Sequence, residues 1–492
     1  MSATLKQKAL WGVFWSFVER AGTMSVTFVV TVALARLLSP ADYGVIGMLS
    51  VFICISQALV ECGFSSALIQ KKDRNETDYS TVFWCNFGIS LICYAILWLC
   101  SGWIANFYKM TILQSVLKVF GISIIIGAIY AVQIARLSAS LDFKTQAKVS
   151  FVRSVLSGLI GITLACLGYG VWALVWQTVS SNIIALLLYM IYTRWMPRLT
   201  FSLQSFHQLF GFGSRLMVAN LLGVAYNNVA PLIIGRKFTA GDLGYYSRAS
   251  SLAGLPGGII ESIFSKVLFP VLSSIQDEED RLKRTYSRYL RLMTSIVAPL
   301  MLVVVAVAKP LVVTLIGEKW LPCVPYLQLL AIGWVVDPII NVNLNVLYVK
   351  GQSNVVLKLE VIKKIIAISI VVASVQFGII WLCVGRVAYG YIALFLNLYF
   401  CAPYIGMGVM RQIREVSGIY CASAIAALCA FVASDVLWEC SGLNPFMHSI
   451  SSCVGGAFAG GVAFIVLGMV FKFEILEVIR DLLTMRMTKW SV

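Results

Sequence analysis

The sequence predicts an all-α polytopic membrane protein of about fourteen transmembrane helices, in two pseudo-symmetric six-helix lobes followed by two C-terminal helices. Three observations predict it. Apolar stretches of spanning length follow one another along almost the whole chain, the basic residues gather on one side of them, and a short polar motif recurs at a fixed offset.

The first observation is compositional. Of 492 residues, 60% are hydrophobic and only 12% charged, at a mean hydropathy of +0.87. A soluble domain carries roughly 25% charged residues. No globular core can hide so much apolar surface, whereas a bilayer can. A spanning helix needs about 20 predominantly apolar residues. Such segments run over 11–38, 42–69, 79–103, 112–137, 150–169, 171–193, 207–235, 242–272, 286–315, 321–349, 356–380, 382–409, 416–438 and 447–471. Only Gly168-Tyr169-Gly170 separates the fifth from the sixth, and Gly254, Pro256, Gly257 and Gly258 interrupt the eighth. Membrane helices tolerate such residues where neighbours or cavity water satisfy the freed backbone groups. The N-terminus, MSATLKQKALWGVFWSF, runs directly into a long span without a small-residue cleavage site, so no removable signal peptide is expected.

The second observation is the placement of charge. The formal net charge of +16 would suit nucleic acid if it were clustered on a soluble face, but the cations sit in short loops between apolar spans. With the N-terminus inside, the cytoplasmic loops and flanks collect about 26 of the 38 Lys and Arg, against about nine on the opposite side. An even span count then places both termini in the cytoplasm. The 13 cysteines form no CxxC pair and the only histidines are His207 and His448, so no metal cluster is expected.

The third observation is a repeat. RLLSPADYG (36–44) aligns with RKFTAGDLG (236–244) at an offset of 200 residues, and the same offset pairs Ser50 with Ser250 and Glu61 with Glu261. Arg, Asp, Gly and Glu are not residues that apolar composition supplies by chance. Each copy joins the first and second spans of a six-helix unit. An even number of spans per unit gives both copies one orientation, so a pseudo-two-fold axis along the membrane normal is expected, as in parallel-repeat transporters. The division is 1–200 for the N-terminal lobe, 201–411 for the second lobe, and 412–492 for two additional helices and a cytoplasmic tail.

Ionisable side chains inside spans are expensive and face a cavity or a partner. Arg20 in the first span and Arg215 in the seventh are nearly equivalent, as are Glu61 and Glu261, with Lys266 further along the eighth span. A wet cleft lined by arginine suits pyrophosphate, because guanidinium offers bidentate hydrogen bonding and keeps its charge when partly desolvated. The plainer alternative is structural glue between helices. Asp337-Pro338 interrupts the tenth span, ahead of Asn341, Asn343 and Asn345. A carboxylate beside a helix break suits proton or Na⁺ coupling, and equally a kink whose loose groups asparagine satisfies. Basic clusters follow the fourth span (Arg136, Lys144, Lys148, Arg153) and the tenth (Lys350, Lys358, Lys363, Lys364). Topology anchoring accounts for most of these. Lys363 and Lys364, the deepest, are the candidates for contact with an anionic lipid head group or with the pyrophosphate of an incoming substrate. The stretch 273–284 reads as a surface helix, acidic then basic. No P-loop, HExxH or nucleophile elbow stands in a suitable context, so neither ATP hydrolysis nor another enzymatic activity is expected.

Four blocks carry a family resemblance: ALARLLSPADYGVIGMLS (33–50), GFSSALIQKKD (63–73), VLFPVLSSIQDEEDRLKRTYSRYLRLMTSIVAPL (267–300) and IGEKWLPCVPYLQLLA (316–331). In this order they resemble the bacterial polysaccharide exporters of the multidrug/oligosaccharidyl-lipid/polysaccharide flippase superfamily, most of all the colanic acid and teichuronic acid exporter branch. The resemblance implies two six-helix lobes that carry undecaprenyl-pyrophosphate-linked oligosaccharide from the cytoplasmic to the periplasmic leaflet of a bacterial inner membrane. It implies alternating access driven by an H⁺ or Na⁺ gradient or by membrane potential, no other cofactor, and a polysaccharide polymerase and chain-length regulator as partners. In relatives, cations in the central cavity engage the pyrophosphate; that role carries to Arg20 and Arg215 on helix position alone. Competing readings are a cation-coupled drug exporter on the same fold, a membrane polymerase or glycosyltransferase, and a non-catalytic scaffold. The enzymes would need a large outward loop, and no outward loop here exceeds a typical length of about 10–15 residues.

Overall fold

The computed structural model describes residues 22–61, 63–71, 73–440, 445–471 and 473–475. Among them there is no strand. The helices are α1 (Gly22–Leu37), α2 (Pro40–Glu61), α3 (Phe64–Gln70), α4 (Glu76–Tyr108), α5 (Ile112–Ala139), α6 (Phe143–Cys166), α7 (Val171–Thr193), α8 (Leu203–Lys237), α9 (Ala240–Ser274), α10 (Glu279–Ala306), α11 (Ala308–Ile316), α12 (Val324–Trp334), α13 (Asp337–Val349), α14 (Ser353–Ser374), α15 (Ile379–Ile405), α16 (Val409–Cys440) and α17 (Pro445–Phe471). A 3₁₀ turn, Glu318–Cys323, leads into α12.

Ten segments among the described residues are long and apolar enough to cross a membrane. Four of the expected spans fall outside that count while still being helical. They are α1, α8, α9 and α14, of which α14 carries Lys358, Glu360, Lys363 and Lys364. The eighth expected span is an unbroken helix despite its Gly and Pro residues. The second is not. It divides into α2 and α3 at Gly63, whose φ of 65° is the left-handed region that glycine occupies without strain. A Cβ at Gly63 would also strike the backbone of Gly213 in α8.

α17 shows an inside-out surface. Val454, Phe458, Val462, Val466 and Val470 follow one another at i+4 spacing and are all exposed, Phe458 to 72%. The other face is small. Gly456 and Gly460 form a GxxxG motif against Ala430 of α16, Val303 of α10 and Val307 just after it, with no room for a Cβ. Small residues turned inward and a continuous apolar stripe turned outward are what a lipid solvent selects. The chain is a multi-pass membrane protein.

The chain divides into two compact units, Met1–Gly244 and Tyr245–Val492. In the first, α4 packs on α5, α6 and α5 on α7, and α8 on α2, α3 and α4. The first unit thus includes α8, which lies against α2, and runs past residue 200 to Gly244. The connection between the copies is stitched to α4. Arg198 N donates to Ser80 Oγ (3.0 Å), Ser202 N to Thr81 Oγ1 (3.1 Å), and Trp84 Nε1 to the Arg198 carbonyl (2.9 Å). Trp195 donates to Glu76 (2.7 Å), which also pairs with Arg136 (3.0 Å).

The repeated motif folds twice in the same way. Ser39 Oγ donates to Asp42 (2.6 Å) and Asp42 N donates back to Ser39 Oγ (3.3 Å). Thr239 Oγ1 donates to Asp242 (2.7 Å) and Asp242 N to Thr239 Oγ1 (3.1 Å). Each hydroxyl–carboxylate pair caps the helix that follows, satisfying amides that the first turn leaves open. The two copies then meet. A Cβ on Gly44 would overlap the backbone of Ala240, and one on Gly244 would overlap the backbone of Pro40. Residue i of one motif touches residue j of the other, and j touches i, so the contact is reciprocal.

In the second unit α10 packs on α12, α13, α16 and α17, while α15 packs on α12, α13 and α14. Three fully buried polar side chains tie α10, α13 and α16 together: Tyr286, Asn343 and Gln412. The Tyr286 hydroxyl lies 2.7 Å from the Asn343 amide and 2.8 Å from Gln412 Oε1. It has one proton for two amides. Gln412 Nε2 already donates to the Met407 carbonyl (2.8 Å), so Gln412 accepts from the tyrosine. Asn343 must then turn its NH₂ toward the tyrosine oxygen. Tyr286→Phe strands both amides in the interior and is expected to cost about 1–3 kcal/mol. A lowered melting temperature of the purified protein, with helix content unchanged, checks this.

Candidate functional site

Intramembrane charges gather separately within each unit. In the first, Glu61 closes α2 just before the Gly63 break and lies in the electrostatic field of Tyr130 on α5. Tyr130 accepts a hydrogen bond from Arg153 of α6 and donates to Asn182 Oδ1 of α7 (2.7 Å). Asn182 in turn donates to the Thr178 carbonyl (2.9 Å), and Tyr130 stacks on Tyr189. A guanidinium and an amide thus meet at a buried phenol, and Glu61 is near enough for its charge to act on that phenol.

The second unit holds a larger group. Glu261 on α9 accepts from Asn341 of α13, beside a small cavity of about 50 Å³ that Asn345, Met293 and Leu268 also line. Asp337 opens α13, where the polypeptide breaks after α12, and Glu261, Lys363 and Arg386 are near enough to act on its charge. The break is well supported. Tyr420 of α16 donates to the Val335 carbonyl at the break (3.1 Å). Freed backbone groups at membrane depth must find such partners. Lys363 is only 4% exposed and pairs with Glu360 one turn earlier. Lys364 lies in the field of Glu360, Lys363 and Arg386.

The structure therefore brings together four of the residues that the sequence singled out, Glu261, Asp337, Lys363 and Lys364, and places Glu61 in a separate cluster. Arg20 lies outside the described residues, as do the side chains of Arg215 on α8 and Lys266 on α9. Arg386 was missed. It stands two turns into α15, so the rule that drew attention to Arg20, a cation inside an apolar span, would have found it. Tyr130 and Asn182 carry no such signal, because a lone Tyr or Asn in an apolar helix reads as ordinary packing. Among the described residues no group of His, Cys, Asp and Glu could hold a metal ion. The group thus sets two carboxylates, Asp337 and Glu261, within electrostatic reach of one another, with Lys363, Lys364 and Arg386 supplying positive charge around them.

A family model described as "Polysaccharide biosynthesis protein" matches residues 33–325, more than half of the chain. The chain belongs to that family. Within it, the succinoglycan biosynthesis transport protein ExoT of Rhizobium meliloti is 27% identical over 391 residues, 78% of this chain and 79% of that protein. The lipopolysaccharide biosynthesis protein WzxC of Escherichia coli is 24% identical over 389 residues, 78% of each chain. Among solved structures, the lipid II flippase MurJ in an inward closed conformation superposes with a TM-score of 0.74 at 15% identity, covering 94% of this chain and all of the other. An inward-facing multidrug resistance transporter gives 0.56 at 15% identity over 80% of this chain. The family's fold is thus that of the flippase superfamily, as the four sequence blocks implied. The matched region contains three of those blocks whole and most of the fourth, and it ends before Asp337, Lys363 and Arg386.

Proposed function

We propose that the chain moves undecaprenyl-pyrophosphate-linked oligosaccharide units from the cytoplasmic to the periplasmic leaflet of a bacterial inner membrane, for export of a surface polysaccharide. It is a transporter of the polysaccharide flippase superfamily, not an enzyme. The reading has fourteen spans in two six-helix lobes and a C-terminal pair, with both termini in the cytoplasm. The observation that carries it is the reciprocal packing of the duplicated loops, Gly44 on Ala240 and Gly244 on Pro40. Two copies inserted the same way up and meeting about a two-fold are suited to alternating access at the gap between them.

In this mechanism Arg20 and Arg215 hold the pyrophosphate from symmetry-related positions, with Lys266, Lys363 and Lys364 extending the cationic surface. Glu61, Glu261 and Asp337 take up and release the coupling ion, H⁺ or Na⁺. A polysaccharide polymerase and a chain-length regulator receive the product. A cation-coupled drug exporter on the same fold needs carboxylates and aromatics at its centre, and the cations beside Asp337 favour an anionic cargo instead.

Arg20→Ala with Arg215→Ala is expected to abolish export while the protein still inserts, and lipid-linked sugar accumulates in the inner leaflet. Mass spectrometry of the lipid-linked intermediates in the deletion strain and in the double variant checks this and names the sugar. Normal polymer delivery by the double variant excludes the arginine-lined gap. A strain lacking the gene that accumulates no such lipid excludes the cargo.

A further inference from the structure

The charged first half of α10 turns one helix face into a cavity of about 680 Å³. Arg284, Arg288 and Arg291 line it at spacings of four and three residues, which brings them onto one side of the helix, and Lys283 borders it beside Arg284. The opposite wall is Arg411 and Glu415 at the start of α16, with Glu474 beyond the end of α17 and Asp280 on α10 itself. Five cations therefore face three carboxylates.

Two of those carboxylates are already engaged. Arg291 bridges Glu415 and Glu474, the latter at 2.6 Å, which pins three segments together as the floor of the cavity. Of the three carboxylates, only Asp280 does not pair with Arg291. Among the described residues no carboxylate pairs with Lys283, Arg284 or Arg411. The imbalance is not inherited from the duplication. α10 takes in the second copy the place that α4 takes in the first, and the corresponding stretch of α4, Ser80–Leu91, contains no Lys or Arg. The walls that complete the cavity include Glu415 of α16 and Glu474, both beyond the second lobe's end at 411.

A space of this size is within the usual range for a ligand of about 300–1,000 Å³ and exceeds a bare phosphate. Guanidinium forks match phosphate oxygens bidentately, and basic pockets at the cytoplasmic face collect anionic head groups. We propose that this cavity binds the phosphate of a lipid head group in the cytoplasmic leaflet, gripped by Arg284, Arg288 and Arg411. The site rests on the orientation proposed above but not on the identity of the cargo. Two lipids carry the required chemistry, an anionic glycerophospholipid of the bilayer and the pyrophosphate end of the carried lipid.

The test uses the full chain purified in detergent and native mass spectrometry with phosphatidylglycerol, phosphatidylethanolamine or undecaprenyl pyrophosphate. Wild type is expected to bind at least one of the two anionic lipids about tenfold more tightly than phosphatidylethanolamine. Arg288→Gln with Arg411→Gln should remove that preference. Arg281→Gln, on the same helix but paired with Glu278 and outside the cavity, should keep it. Loss confined to phosphatidylglycerol assigns a bilayer lipid, and loss confined to undecaprenyl pyrophosphate assigns the carried one. Arg288 and Arg411 are exposed, so the changes leave packing intact; the single Arg411→Gln is read if the double variant fails gel filtration. Equal binding of the three lipids by wild type, or a preference that survives in the folded double variant, overturns the proposal. A double variant that loses the lipid preference but still exports leaves the transport reading standing, whereas a lipid preference in wild type together with intact export in the deletion strain counts only against the transport reading.

Discussion

Gly44→Val is expected to abolish polymer export, and Gly244→Val to do the same, although neither residue carries a functional group. Each glycine lies where the backbone of the other copy passes, Ala240 against Gly44 and Pro40 against Gly244, with no space for a side chain. The obstruction is backbone, which cannot swing aside as a flexible side chain would. Overpacking of this kind costs about 1–3 kcal/mol. If the cost falls on one conformation only, a bias of that size shifts the population by about 5-fold to 150-fold. The closed pairing of the two loops is that conformation, so the variants should spend most of their time with the loops apart. Spin labels at Ala41→Cys and Gly241→Cys, in a background lacking the native thiols, report the separation directly. The distance distribution should move to longer values in both valine variants and move less in Gly44→Ala. A distribution and an export level like those of the parent in Gly44→Val would show that the loops never need to close.

This contact also marks where the sequence was readable. The offset of 200 residues was visible because its elements are local: a hydroxyl three residues before an aspartate, then a glycine two further on. Such a motif specifies a cap and a close approach whatever surrounds it, and Ser39–Asp42 and Thr239–Asp242 fold alike. The break at Asp337-Pro338 was visible for the same reason, since proline and an N-terminal acid act on their own turn. The parting of α2 from α3 at Gly63 was not. Glycine inside an apolar run is ambiguous until the chain that crosses it is known, and here that chain is α8 at Gly213. The polar groups that join distant segments were equally hidden. Tyr286 reaches Gln412 across 126 positions and Trp195 reaches Glu76 across 119, and no periodicity records such partners. Nor could residue types alone show that α8 packs with the first copy's helices, because apolar faces in lipid choose partners by shape rather than by hydrophobicity.

Lys363 offers the sharpest separation of function from packing. It is almost fully buried, pairs with Glu360, and acts on Asp337 together with Arg386. Removing one member of a buried pair leaves an uncompensated charge and costs about 3–5 kcal/mol. Glu360 is 35% exposed, so water relieves part of that burden and Lys363→Met should fall at the lower end. Lys363→Met with Glu360→Gln removes both charges at once and should recover most of the lost stability, since well-packed neutral replacements of a buried pair are commonly tolerated. Export separates the two roles. If the lysine only holds α14 in place, the stable double variant exports normally. If its charge attracts the cargo or sets the balance around Asp337, the double variant is as stable as the parent and exports nothing. The second outcome is expected, because losing the Lys363 charge alters the balance around Asp337, on which Arg386 and Glu261 also act. Thermal melting and a polymer assay on the two variants, side by side, decide between them.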